Sequence, residues 1–180
     1  MRRHTLFPAR GALMATAVLA ATLLAGCNPT YNWRDHASAD GAWKALFPAK
    51  PATFARSVDL DGLQVEMTMT AAEVDGVTFA VGSASAPDGA RAQAALPAMR
   101  RALLRNIGKD DDAASAASST AAVQDGLQVD ATGSSNGRPV RLQWRFVARG
   151  VRVFQVIVLG KPDGEPPEQV EQFLTSFTPQ

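Results

Sequence analysis

The side chains able to do chemistry in this sequence are few and scattered. Cys27 is the one thiol among 180 residues, so no disulfide can form within the chain. A nucleophilic thiol needs a nearby base or cation and packed walls to activate it. Cys27 instead follows an uncharged apolar run from Gly11 to Gly26. A serine–histidine–acid site would have to draw on His36, which lies in the polar stretch NPTYNWRDHASAD and reads as a solvated linker histidine. Asp110, Asp111 and Asp112 are adjacent. Neighbouring carboxylates do not converge on one ion, and these lack the alternate spacing and terminal glutamate of a calcium loop. They read as a solvated acidic loop, and neither a metal nor a cofactor is expected. No glycine-rich run cradles a phosphate.

Arginine is the one cluster left to weigh. Arg141 and Arg145 fall on one face of a strand, because side chains alternate along it. Arg149 and Arg152 follow at its turn and on the next strand, with Arg138 at its start. If that face is open, it suits an anionic partner such as a lipid headgroup, a glycan phosphate or an acidic protein. If the terminal helix roofs it, the arginines are expected to pair with Glu168 and Glu171.

The elements that must hold these residues follow from periodicity. Arg2, Arg3 and Arg10 precede the apolar run, which is 16 residues long. A basic head and an apolar core form a secretion leader, and the run is short of the ~20 residues that span a bilayer. The expected organisation is a leader at 1–26, a tether at 27–40 and a single domain at 41–180. Three of the 18 basic residues leave with the leader, against 17 acids, so the remainder carries a formal charge of −2. That is no electrostatic footprint for nucleic acid.

Within the domain, Trp43, Ala45 and Phe47 alternate, and Pro48 ends that strand. Asp61-Gly62, Asp75-Gly76 and Asn136-Gly137 are hairpin signals between alternating runs. Leu96, Met99, Leu103 and Ile107 recur at helical spacing, with Gly108 as the stop. Val140, Leu142, Trp144 and Phe146 form one apolar strand face. The run VRVFQVIVLG is apolar on both faces, which places it centrally in a sheet covered on both sides. After Pro166 and Pro167, Val170, Phe173, Leu174 and Phe177 form a helical stripe. The pentapeptide DGLQV occurs at Asp61 and again at Asp125, and is read as repeated hairpin chemistry. The fold class is α+β: an antiparallel sheet of about seven to eight strands with two main helices covering it.

Two resemblances sharpen this reading. Leu24-Ala25-Gly26-Cys27 resembles a bacterial lipobox, in which the cysteine sulfur takes a diacylglycerol, the leader is cut before it, and the new amine is acylated. Cys27 would then anchor the chain, since two or three acyl chains bind a membrane stably where one does not. Asn28, rather than aspartate, at the next position implies the outer membrane, facing the periplasm. The aromatic strand ending in FPAKP, the DG hairpin, the mid-chain helix and the terminal EQFLTSF resemble the PsbP-like group and its small bacterial lipoproteins. That resemblance spans Ala42 to Phe177 and implies a non-enzymatic binding or assembly module, with no catalytic residues to carry over. The partners expected are the membrane, through Cys27, and an envelope protein or other anionic partner. The alternative is an envelope hydrolase with an unrecognised carboxylate site.

Overall fold

The computed structural model describes residues 29–60, 62–109, 122–123 and 126–180. Cys27, Asp61, the acidic run Asp110–Asp112 and Asp125 lie outside the described residues. Among the described residues, ten strands and two helices follow in chain order: β1 (Arg34–Ala37), β2 (Trp43–Phe47), β3 (Ala52–Leu60), β4 (Leu63–Val74), β5 (Val77–Ser85), α1 (Gly89–Asn106), β6 (Ala122–Val123), β7 (Gly126–Ser135), β8 (Arg138–Arg149), β9 (Arg152–Gly160), α2 (Pro167–Ser176) and β10 (Thr178–Pro179). The class is α+β, as the sequence patterning implied.

Strands β3 to β9 form a sheet in the order β3-β4-β5-β9-β8-β7-β6, and β1-β2-β10 form a separate small sheet. Every pairing is antiparallel. The doubly apolar run is β9, between β5 and β8. Two of the tight turns use the left-handed backbone at both central residues: Asp75 and Gly76 have φ 51° and 77°, and Asn136 and Gly137 have φ 52° and 74°. That twist matches the strands on either side. The two DGLQV copies open β4 and β7. Both strands lie between their sequence neighbours, β4 between β3 and β5 and β7 between the two-residue β6 and β8.

Alternation along the strands produces two cores. On one face, Met67, Met69, Leu142, Trp144, Phe146 and Ile157 pack with Ala95, Met99, Leu103 and Leu104 of α1. On the other, Phe79, Val81, Phe154, Val156 and Val158 pack with Val170, Phe173 and Leu174 of α2 and with Trp43 and Phe47 of β2. Asp88 caps α1, its carboxylate accepting the Arg91 N–H at 2.7 Å. The helix continues through Pro97, which neither starts nor ends it. Its end is sealed by Gly108 at φ 68°, where Gly108 N–H meets the Arg105 carbonyl and Lys109 N–H meets that of Leu104, both at 3.0 Å.

The compact unit begins at Tyr31, inside the segment 27–40 that was expected as a tether. The cause is aromatic docking. Tyr31 and Trp33 stand edge-on to Phe79, and Trp33 Nε1–H donates to Gln169 Oε1 at 2.9 Å. His36 is likewise not a solvated linker residue: it lies in β1, with its ring against Trp43 and Phe47 at centroid distances of 5.8 and 5.6 Å.

Candidate functional site

Beside α2, the second face of the sheet changes character. The residues of β8 that alternate with Leu142, Trp144 and Phe146 are Arg141, Gln143 and Arg145. They form the floor of a cleft of about 420 Å³, with Pro167, Val170, Glu171, Leu174 and Thr175 of α2 as its wall and Glu165 at one end.

Arg141 is bound by Asp130 of β7, its Nε to Oδ1 at 3.0 Å and its Nη2 to Oδ2 at 2.5 Å. Gln143 donates its Nε2 to the same Oδ2 at 3.2 Å. This contact fixes the amide orientation, because a carboxylate only accepts. Gln143 Oε1 is thereby left buried with no partner. Arg145 makes one long contact, from Nη1 to the Leu174 carbonyl at 3.5 Å, and its Nε–H is buried without an acceptor.

Glu165 is 8% exposed, and neither carboxylate oxygen has a hydrogen-bond partner. The loop 161–166 folds it back over Gly160, where a Cβ would collide with Oε1. Gly160 pairs with Arg141 across the β8–β9 ladder, which brings the acid beside the guanidinium. Burial pushes the Glu165 carboxyl up to about 7; Arg141 opposes the rise and Asp130 adds to it. Glu165 and Asp163 of the same loop both act on Arg141, and Glu165 reaches Tyr31, whose phenol is raised first by burial and then by Asp75, Glu168 and Glu165.

The structure divides the arginines predicted as one face. Arg141 and Arg145 line the cleft. Arg149 donates to the Pro179 carbonyl at 3.0 Å. Arg152 pairs with Asp40 at 2.6 Å, which ties β9 to the β1–β2 turn. Arg138 lies at the rim of a wider depression of about 920 Å³ at the sheet end, which holds none of the unpartnered buried polar atoms found among the described residues. Arg141 is paired to Asp130, not to Glu168 or Glu171. Sequence reasoning missed Asp130 and Glu165. Asp130 was recoverable, since a hairpin through Asn136-Gly137 sets it opposite Gln143. Glu165 had one signal only, a glycine ending the central strand five residues before it.

Among the described residues, no group of three or more His, Cys, Asp or Glu side chains could hold a metal ion, and no helix is long and apolar enough to cross a membrane. No protein family and no curated protein matches the chain. A solved structure from Bacteroides thetaiotaomicron VPI-5482 is similar at a TM-score of 0.48 and 12% identity, over 82% of this chain and 48% of that one. The chain thus spans about half the length of that protein.

Proposed function

We propose that this protein is a lipid-anchored binding module of the bacterial cell envelope, held through Cys27 at the periplasmic side of the outer membrane, and that the cleft between β8 and α2 is its binding site. One observation carries the site: Gln143, Arg145 and Glu165, which line a single cleft, each hold a buried polar atom without a partner. A buried polar group without a partner costs roughly 1–3 kcal/mol. Three such groups together are a cost that a ligand would relieve. The apolar wall and small volume suit a small molecule or a chain terminus. The PsbP-like resemblance and the lipobox support the same reading from the sequence side.

The anchor is tested by Cys27→Ala. The expected result is an uncleaved, unacylated precursor, with the mature protein lost from the membrane fraction. Fatty-acid label retained by the variant would sink the lipoprotein reading.

Hydrolysis is the second reading, and Glu165 is what favours it. A carboxyl titrating near neutrality is suited to general acid work. Against it, Asp130, the nearby second carboxylate, already accepts from Arg141 and Gln143. Turnover of peptidoglycan fragments that Glu165→Gln abolishes would decide for the hydrolase.

A further inference from the structure

We propose that the cleft takes a small zwitterion of dipeptide size, its ammonium held by the Glu165 carboxylate and Gln143 Oε1, its carboxylate by the Arg145 Nε–H. This rests on the cleft being a binding site.

The charges argue against a simple anion. Arg141 is already neutralised by the two-pronged bond to Asp130. What remains is one cation on the β8 floor, Arg145, and one buried acid, Glu165, at the opposite end; the second acid of the lining, Glu171, stands exposed on the α2 wall. A pure anion would satisfy Arg145 and meet Glu165 with like charge. A pure cation would do the reverse. A ligand with both charges satisfies both ends, and removes each from the list of buried groups left without a partner.

The spacing sets the size. Gln143 and Arg145 are two residues apart on one face, about 6.6 Å along the strand. An extended dipeptide spans about 7 Å. A free α-amino acid is too short to reach both ends with ideal geometry, while a dipeptide lays its middle along Val170 and Leu174 of the wall. The acceptors Glu165 and Gln143 Oε1 stand toward the Gly160 end of the floor and the donor toward Leu174, so the ligand has one orientation.

The acid also couples binding to protons. An ammonium favours the ionised carboxylate, so binding draws off the proton that burial keeps on Glu165. Arg141 and Asp130 act on that group directly, Glu165 acts in turn on Tyr31, and Arg145 and Glu171 are the other charged groups of the cleft lining.

The test is titration of the full chain with alanyl-alanine, with its N-acetyl form and with its C-terminal amide. Calorimetry gives affinity, and NMR follows the Arg145 Nε–H and Gln143 amide signals. The expected result is that the free dipeptide alone binds and shifts both signals, with affinity rising severalfold from pH 6 to a maximum between about pH 7 and pH 8, where Glu165 has ionised and the ligand's own α-amino group, titrating at about 8, still keeps its proton. Glu165→Gln should flatten that pH dependence and weaken binding; its fold is checked by the same spectra. Equal binding of the acetylated form would overturn the ammonium assignment, and equal binding of the amide the carboxylate assignment. If none of the three binds, the zwitterion is wrong. A screen of uncharged and anionic fragments then separates the two claims: hits that move the Arg145 and Gln143 signals keep the cleft as a site, and silence there sinks both.

Discussion

On one side of β8, Leu142, Trp144 and Phe146 meet Met99, Leu103 and Leu104 of α1 and close completely. On the other side of the same strand, Arg141, Gln143 and Arg145 meet α2 and leave a cleft. The two helices differ in reach. α1 lies against β3, β8 and β9, whereas α2 packs against β2 and β9 and reaches β8 through its edge. A strand covered by a helix on one face and skirted by a helix on the other can carry a core and a site in alternate residues. The lesson is that the site is a matter of coverage: the same two-residue period specifies a sealed face and an open one, and which is which depends on where the second helix stops.

Trp144→Ala breaks the sealed side. The indole is fully buried, and its removal should cost about 3–5 kcal/mol, read as a large fall in the urea midpoint. Trp144→Phe should cost far less, because Nε1 has no acceptor to lose. An alanine variant with an unchanged midpoint would mean that the α1 face is loosely packed after all.

Glu165→Gln acts on the open side and with the opposite sign. The native carboxyl holds its proton to about 7, while an unfolded chain releases it near 4.3. Between those values the native state binds more protons, so stability falls as pH rises through the window and levels off above it. The variant should lose that slope and gain on the order of 2–3 kcal/mol at pH 8. Denaturation at pH 5 and pH 8 measures both. An unaltered slope would show that Glu165 is not the desolvated acid of the cleft.

The smallest effect is expected at the Arg152–Asp40 pair, which is half open to solvent. Asp40 is held down to about 2 by the Ser38 hydroxyl first, then by the Ala42 N–H and Arg152. Its contribution is present at neutral pH and fades as pH falls from about 3.9 through about 2. Arg152→Gln should cost under ~1 kcal/mol, and less in high salt. A larger, salt-independent loss would make this strut part of the core.

Legibility in the sequence followed the same division. The sealed side could be read: the Leu142–Trp144–Phe146 face, the central β9 and both helix stripes are periodic patterns many residues long. β1 and β10 could not, because four- and two-residue strands are set by their pairing with β2 and carry almost no pattern of their own. The cleft was half legible. Arg141 and Arg145 were placed on one face by alternation, but their partners come from the facing strand β7 and from α2. Glu165 gains its environment only when Gly160 lets that loop fold inward. Burial of an acid is a property of what surrounds it, and the surroundings come from β7, β8, β9 and α2 at once.

The order in which the parts are synthesised gives the aromatic face a distinct history. All of α1 is made before β7, β8 and β9, so its cover is waiting when those strands arrive. α2 and β10 come after every strand of the large sheet. A chain stopped before Pro167 can already hold β5 beside β9, with Phe79, Val81, Phe154, Val156 and Val158 on a face sheltered by β2 and the Tyr31–Trp33 segment but not yet by α2. During synthesis, this is the apolar surface that waits longest for its cover.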